Sequence, residues 1–289
     1  MPSPKRKHPA GLPPKAGVVV FSDVDGTLLD FHTYSAKAAA AALRELKRLN
    51  VPLVLVSSKT KAELEELRKG LGIDAPFVSE NGGAIFWPKS SVTVKPKGAK
   101  LVDSYWVREF GTPYASLRKA LAAFRESHGV KCEGFGDWSS EVVSKFAGIP
   151  QPLAKLAQQR EYDEPFVFNP VPPKDVLDRH LKLLASGGLT VTQGARFFHL
   201  SGPSDKGLAV RELIDWYAAT APVKPRTLAI GDSPTDWPMM AACDIGIAVK
   251  QPDGRYHPSL RDHKGIRLAG APGPEGFNRM ILRLLKQLL

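Results

Sequence analysis

The sequence is poor in cysteine and has no long apolar run. Its two cysteines, Cys132 and Cys243, are far apart and show neither CxxC spacing nor a matching histidine pattern, so we expect no disulfide framework and no zinc site. The longest apolar runs, at 18–21 and 53–56, have strand length, whereas roughly 18 residues are needed to cross a bilayer. Residues 1–16 are basic and rich in proline but lack the apolar segment of a secretion signal. We therefore predict a cytoplasmic protein with no membrane role and a disordered basic tail at 1–16.

Motifs of several enzyme classes are also missing. The chain contains no GxxxxGK[ST] loop, which argues against a P-loop nucleotide hydrolase. It also contains neither the GxSxG motif of serine hydrolases nor the HExxH motif of zinc proteases. Of the 289 residues, 43% are hydrophobic and 24% are charged, as in folded globular proteins with one large domain or two. The net charge of +11 fits either nucleic acid or a small polyanionic substrate. No nucleic-acid-binding motif accompanies the charge, so a basic nucleic-acid-binding protein is only a distant alternative.

Strand and helix patterns alternate regularly at both ends of the chain and irregularly in the middle. The regular parts predict strands at 18–21, 53–56, 227–230 and 245–249, a strand and turn at 76–83, and helices at 35–49, 61–71, 206–217, 238–242 and 276–288. Strands that alternate with helices are typical of a parallel sheet. We therefore predict an α/β fold, with a parallel-sheet core at 17–87 and 200–289 and an inserted α+β module at 88–199.

Two acidic turns follow predicted strands. Asp23 and Asp25, in DVDGT, come after the strand at 18–21, and Asp232 and Asp236, in GDSPTD, come after the strand at 227–230. Open α/β sheets bind ligands at the carboxyl ends of their strands. Four converging carboxylates repel one another unless a cation is bound, and oxygen ligands favour Mg²⁺. Each turn alone is equally explained by an Asx turn or a helix cap, but the pair favours a metal site.

Ser57 and Lys206 occupy comparable places in the pattern. Ser57 stands at the end of the predicted strand, directly after residues 53–56, and Lys206 begins the helix after the inserted module. A hydroxyl and an ammonium group complement the oxygens of a phosphoryl group. Taken singly, the serine is as well explained by a helix cap and the lysine by a solvated surface position. Their order relative to the acidic turns favours a phosphate site.

In this order, DVDGT, Ser57, Lys206 and GDSPTD resemble the four motifs of the haloacid dehalogenase-like (HAD) phosphatases, over residues 18 to about 250. The resemblance implies a Rossmann-like core in which Asp23 is the nucleophile and Asp25 the general acid and base. The inserted module lies where the type IIB, Cof-like branch carries its α+β cap. That position implies that the module determines substrate specificity.

The same resemblance implies a cofactor and a set of binding groups. Mg²⁺ is expected at Asp23, Asp25 and Asp232, with Asp236 in support. The groups expected to bind the phosphoryl oxygens are Thr27, Ser57 and Lys206.

Further segments resemble the mannosyl-3-phosphoglycerate phosphatase family within this superfamily. They are SSKT at 57–60, ENGGAI at 80–85, QREYDEPF at 159–166, GARFFHL at 194–200 and APGPEGFNR at 271–279. This implies that the substrate is a small phosphorylated glycosyl-glycerate, hydrolysed through an aspartyl-phosphate, and that the product is a compatible solute. Mannosyl, glucosyl and broader sugar-phosphate specificity all remain open, as does the oligomeric state. The candidate substrate contacts in the cap, each equally open to a structural role, are Arg160, Glu164, Arg196 and His199.

Overall fold

The computed structural model describes residues 17–92, 94–194 and 196–289. Within them the strands are β1 (Val18–Ser22), β2 (Leu53–Val56), β3 (Phe77–Ser79), β4 (Ala84–Pro88), β5 (Lys100–Val102), β6 (Tyr105–Glu109), β7 (Cys132–Gly134), β8 (Asp163–Phe168), β9 (Thr190–Gln193), β10 (Phe198–Ser201), β11 (Arg226–Gly231), β12 (Ile245–Lys250) and β13 (Arg267–Pro272). The α-helices are α1 (Ala40–Arg48), α2 (Lys61–Leu71), α3 (Tyr114–His128), α4 (Ser140–Ala147), α5 (Gln151–Ala157), α6 (Lys174–Ala185), α7 (Lys206–Thr220), α8 (Trp237–Ala242), α9 (Pro258–Arg261) and α10 (Gly273–Leu288).

The strands form a large sheet and a small one. The large sheet has nine strands in the order β13-β12-β11-β1-β2-β3-β4-β6-β5, parallel from β13 to β3 and antiparallel from β3 to β5. The small sheet is antiparallel, in the order β7-β8-β10-β9. The chain leaves the large sheet after β6 and forms the small sheet. It then returns at α7, a helix that packs against the large sheet. The predicted α/β fold with an inserted α+β unit is confirmed.

Helices cover both faces of the large sheet. All five residues of β1, VVVFS, are buried, as expected for a central parallel strand that is covered on both sides. One face packs against α1 and α10, where Phe277 and Ile281 are fully buried. The other face packs against α7 and α8 through residues such as Leu213 and Met239. None of the described helices combines the length and the apolar character needed to cross a membrane.

The small sheet packs against helices through alternate residues of its strands. Phe166 and Phe168 of β8 share one buried apolar cluster with Leu117 and Leu121 of α3 and with Leu184 of α6. Because successive residues of a strand point to opposite faces, the even-numbered residues of β8 face these helices and the odd-numbered ones face away from them. Glu164, an even-numbered residue of β8, therefore lies on the helix side of the sheet.

The insertion begins later in the chain than the sequence predicts. Residues 88–109, assigned to the inserted module, instead contribute β5 and β6 to the large sheet, where Trp106 lies opposite Trp87 of β4. At the other end, β10 continues to Ser201. The reason is that β4, β6 and β5 pair antiparallel, so the alternation of strand and helix stops before the sheet does. The predicted tail at 1–16 lies outside the described residues.

Candidate active site

Two of the acidic residues meet at the carboxyl ends of the central strands. β1 and β11 are parallel neighbours, and the Asp23 N–H donates to the Ile230 carbonyl at 2.9 Å. The chain then turns at Gly26, whose φ of +77° favours glycine. A Cβ at this position would lie 3.2 Å from Oδ2 of Asp232. This close approach brings the two acidic turns together.

Lys206 lies between two carboxylates. Its Nζ donates to Oδ1 of Asp23 at 2.7 Å and to Oδ1 of Asp236 at 2.6 Å, and its side chain is only 3% exposed. Burial raises the pKa of Asp23 to about 7, an effect that Lys206 opposes and Asp236 reinforces. Burial lowers the pKa of Lys206, but the two carboxylates outweigh this and raise it overall. Lys206 is therefore charged and fixed beside Asp23.

Three of the acidic side chains could hold a metal ion together. Asp23, Asp232 and Asp236 each present an oxygen within 4.8 Å of the others. Oδ2 of Asp236 also accepts the N–H groups of Asp232 at 3.1 Å and Ser233 at 3.0 Å, so Asp236 holds its own turn in place. Burial and the charges of Asp23 and Asp236 raise the pKa of Asp232 well above its ordinary value. A cluster of buried carboxylates that destabilise one another's charge suits a hard divalent cation.

Asp25 is not part of this cluster of three and instead pairs with a lysine that the sequence analysis did not single out. Nζ of Lys59 lies 2.9 Å from Oδ2 of Asp25 and 3.4 Å from Oε1 of Glu63. Burial lowers the pKa of Lys59, but Asp25 and Glu63 raise it further than burial lowers it. The other oxygen of Asp25, Oδ1, is buried and has no hydrogen-bond partner in the described structure. One oxygen of this carboxylate is thus held by Lys59, and the other has no protein partner among the described residues.

Thr27 and Ser57, the predicted hydroxyl ligands of phosphate, are both buried next to the acidic turns. Thr27 Oγ1 donates to Oδ1 of Asp232 at 3.4 Å, and Ser57 Oγ accepts the N–H of Lys59 at 3.2 Å. Neither residue lines the cavity described next. In this structure they support Asp232 and the loop that carries Lys59.

A cavity of about 850 Å³ lies between the units built on the two sheets, a volume in the usual range for small-molecule sites. The large-sheet unit contributes the acidic turns, Lys59 and Lys206, together with Gln251 and His257 from the loop after β12. The small-sheet unit contributes side chains from its helices and strands. They include Phe135, Ile149, Arg160, Pro165, Arg196 and His199.

The predicted substrate contact Glu164 does not line the cavity, and the structure gives it a structural role instead. It is fully buried on the helix side of β8, as its even number requires. Its carboxylate accepts from the hydroxyl of Tyr114 at 2.6 Å, the guanidinium of Arg118 at 2.6 Å and the N–H of Gly136 at 3.2 Å. These donors engage both oxygens, so the carboxylate is unavailable to a ligand.

The other three predicted cap contacts do line the cavity. Arg160 donates to the Ser58 carbonyl at 2.8 Å, which fixes it against the large-sheet unit. The exposed Arg196 lies over the ring of Phe31 at 5.2 Å, with one nitrogen 3.5 Å from the hydroxyl of Tyr34. Nδ1 of His199 lies 2.9 Å from Oδ2 of Asp163. All three residues therefore line the same cavity as Asp23.

Comparison with known proteins places this geometry in a family. A family model described as haloacid dehalogenase-like hydrolase matches residues 20–98. A protein of Methanococcoides burtonii named glucosyl-3-phosphoglycerate/mannosyl-3-phosphoglycerate phosphatase is 42% identical over 92% of this chain and 97% of its own. The mannosyl-3-phosphoglycerate phosphatase of Pyrococcus horikoshii is 36% identical over 80% of this chain and 90% of its own. The chain belongs to the mannosyl-3-phosphoglycerate phosphatase family of HAD-like hydrolases.

The fold of this phosphatase agrees with that assignment. A solved structure described as a HAD subclass IIB sugar phosphatase covers 94% of this chain and 100% of its own, with a TM-score of 0.61 at 17% sequence identity. At that identity the likeness concerns the fold alone. Together with the curated relatives, it identifies the chain as a phosphoric monoester hydrolase with a type IIB architecture.

Hydrogen bonds join the two units of the phosphatase at the loop after β3. Glu80 and Asn81 have positive φ values of 47° and 57°, which is unusual for residues other than glycine. The buried Glu80 carboxylate accepts the N–H groups of Glu161 at 3.0 Å and Tyr162 at 2.9 Å, on the segment that leads into β8. Burial raises the pKa of Glu80 to about 7. Strained residues that persist at such a junction are held by their surroundings, here by hydrogen bonds across the two units.

Proposed function

We propose that the protein hydrolyses mannosyl-3-phosphoglycerate to mannosylglycerate and phosphate through an aspartyl-phosphate on Asp23. The observation that carries the proposal is the cavity, which is lined by Asp23 and Asp25 on one side and by the proposed cap on the other. The cap side includes Arg196, which has no carboxylate partner among the described residues. The names of the curated relatives support the substrate class. The proposed cap is the small-sheet unit between β6 and α7.

The proposed first step is attack of an Asp23 oxygen on phosphorus. The new oxygen–phosphorus bond forms as the bond from phosphorus to the glycerate oxygen breaks, and Asp25 gives that oxygen a proton. In the second step Asp25 takes a proton from water, whose oxygen attacks phosphorus and displaces the Asp23 carboxylate. Lys59 anchors one oxygen of Asp25 during both transfers. Lys206 places positive charge beside the oxygens of the phosphoryl group.

The residues present fit a bound Mg²⁺. Asp23 and Asp232 are buried carboxylates whose pKa values are raised by burial and by the charge of Asp236, and Lys206 alone leaves the charge of these carboxylates incompletely balanced. We propose that Asp23, Asp232 and the main chain of Asp25 hold the ion, with Asp236 in support. When bound there, Mg²⁺ supplies charge that keeps Asp23 ionised and reduces its repulsion of the phosphate.

Arg196 is the proposed ligand of the glycerate carboxylate. Four lysine or arginine side chains line the cavity, and three have carboxylate neighbours: Lys59 and Lys206 as described above, and Arg160 at 3.8 Å from Glu80. Within the described residues, no carboxylate lies within 4.0 Å of Arg196. A guanidinium without an anionic partner binds a carboxylate through paired hydrogen bonds.

Glucosyl-3-phosphoglycerate is a second candidate substrate. The relative that is 42% identical is named for both the glucosyl and the mannosyl compound. The two sugars differ in the orientation of one hydroxyl, so acceptance of both requires only a tolerant contact at that position. A broader sugar-phosphate activity remains an alternative outcome of the same test.

Phosphate release from a panel of substrates tests the proposal. The panel contains mannosyl-3-phosphoglycerate, glucosyl-3-phosphoglycerate, 3-phosphoglycerate, mannose 6-phosphate and p-nitrophenyl phosphate, each with Mg²⁺ and after removal of metal by EDTA. We expect the highest kcat/KM with the mannosyl compound and no turnover without metal. Preference for mannose 6-phosphate would reject the substrate, and undiminished activity in EDTA would reject the metal.

Replacing Arg196 with methionine should weaken binding of substrates that carry the glycerate carboxylate. Loss of a charge-assisted hydrogen-bonded pair costs about 1.5–3 kcal/mol, so KM should rise roughly 10- to 100-fold for both the glycosyl compounds and 3-phosphoglycerate. p-Nitrophenyl phosphate has no such carboxylate and should be unaffected. Arg179→Met is the matched control, because Arg179 is an exposed arginine on α6. An equal loss with every substrate would contradict the proposed role.

A further inference from the structure

His199 and Asp163 form a hydrogen-bonded pair in the cavity wall. They lie on neighbouring strands of the small sheet, β10 and β8, and Nδ1 of His199 is 2.9 Å from Oδ2 of Asp163. Asp163 is fully buried, and His199 lines the cavity. The ring is therefore held from the protein side while its other edge reaches the site. The catalytic steps above use neither residue.

Asp163 is fixed from the large-sheet unit as well. Asn81, on the strained loop after β3, donates from Nδ2 to Oδ2 of Asp163 at 3.3 Å. Burial raises the pKa of Asp163, but His199, Arg160 and the Asn81 hydrogen bond lower it further, and the net shift is downward. Asp163 is therefore an ionised acceptor with donors on both sides. Its position does not depend on a ligand.

The pairing determines which ring nitrogen meets the cavity. An ionised carboxylate can only accept, so Nδ1 of His199 carries the proton, and Nε2 is left for another partner. Nε2 lies beside Gly194, where an added Cβ would be 3.0 Å away, and Gly194 itself lines the cavity. A hydroxyl can donate to Nε2 of the neutral ring or accept from the charged ring. A carboxylate can bind only the charged ring.

We infer that His199 binds a hydroxyl of the sugar through Nε2, and that Asp163 is a positioning residue that fixes the ring for this contact. The inference rests on the proposed function and adds the part of the substrate that this side of the cap recognises. Arg196 is assigned to the carboxylate, which leaves the sugar as the hydroxyl-rich partner. The step is binding only, and no bond is made or broken.

Two substitutions of His199 separate its two nitrogens. Asparagine can place its amide at the position of Nδ1 and keep the hydrogen bond to Asp163, whereas glutamine can place its amide at the position of Nε2. With mannosyl-3-phosphoglycerate, His199→Asn should raise KM about 10-fold or more with little change in kcat, and His199→Gln should stay within about 3-fold of the parent. The melting temperature should show the opposite order, because only asparagine keeps the hydrogen bond between residue 199 and the buried Asp163.

The positioning role predicts a third result. Asp163→Asn replaces the fixed acceptor with an amide that can also donate, so the ring is no longer held with its proton on Nδ1. KM for the mannosyl compound should rise about 10-fold, while KM for 3-phosphoglycerate and p-nitrophenyl phosphate stays unchanged. A purely structural Asp163 would lower the melting temperature without this selectivity for the substrate with a sugar.

The outcomes distinguish failure of the inference from failure of the proposed function. If the parent enzyme hydrolyses p-nitrophenyl phosphate but neither glycosyl compound, the proposed function and this inference are both overturned. If the parent hydrolyses the mannosyl compound and the asparagine and glutamine variants have equal KM values, only the inference is overturned. Equal losses with 3-phosphoglycerate would likewise overturn it, since that substrate has no sugar.

Discussion

Asp23→Asn is expected to reduce phosphate release on the order of 10⁴-fold or more, with a native fold retained. The amide has nearly the shape of the carboxylate and can still meet Lys206, which lies 2.7 Å from Oδ1. It is neutral, however, and cannot supply the oxygen that forms the bond to phosphorus. Initial rates with mannosyl-3-phosphoglycerate and p-nitrophenyl phosphate measure the loss, which should be the same for both because the missing group acts on phosphorus.

The control for Asp23→Asn is the same substitution at Asp74. Asp74 is exposed and precedes β3, at the end of the strand opposite to the site, so its loss should leave the rate unchanged. Acid quenching during turnover should trap a phosphoenzyme that hydroxylamine cleaves in the parent and not in Asp23→Asn. Substantial residual activity in Asp23→Asn, or a phosphoenzyme that survives the substitution, would show that another group attacks phosphorus.

The position of the acidic cluster could be predicted because the signal is local. Asp23 and Asp232 each come directly after a buried apolar strand, and parallel pairing of those strands dictates that their ends share an edge. The same holds for α2, predicted at 61–71 and found at Lys61–Leu71, because Thr60 and Glu63 form a capping box at its start and Gly72 ends it. In these cases neighbours in sequence determine the structure.

Contacts between distant segments could not be predicted in this way. Lys59 meets Asp25, and Asn81 meets Asp163, only because the fold brings separate loops together. The sequence segments that contain Lys59 and Asn81 resembled the family, but no pattern within them named a partner. Side-chain partners across a cavity depend on tertiary packing, which periodicity does not encode.

Glu164 shows a signal that was present and could have been used. Within DEPFVF, Phe166 and Phe168 occupy alternate positions and must face the apolar side of the sheet. Glu164 shares their parity, and Asp163 and Pro165 do not. The alternation therefore predicts Glu164 beneath the helices and Asp163 on the other face of the sheet, where the structure pairs it with His199 of the cavity wall. A resemblance to a family segment did not distinguish the two acidic residues.

Lys206→Met is expected to lower both stability and activity. Methionine has a similar length and fills the space, but it leaves the buried carboxylates of Asp23 and Asp236 without the ammonium that lies 2.7 and 2.6 Å from them. Removal of one partner of a buried ion pair costs roughly 3–5 kcal/mol. Denaturant unfolding in EDTA should show this decrease, and kcat/KM measured with Mg²⁺ should fall about 100-fold or more because a charge beside the phosphoryl oxygens is lost.

A second substitution separates the two effects. In Lys206→Met/Asp236→Asn, one of the two carboxylates that lost the ammonium becomes neutral, so a part of the lost unfolding free energy should return and the two substitutions should not be additive. Activity should not return, because the ammonium beside Asp23 is still missing. Arg211→Met, at an exposed position on the same helix, serves as the control for a lost positive charge. If the double variant is as unstable as the sum of the single ones, the charge on Asp236 is not balanced by Lys206, and the ion pair does not account for the stability of this site.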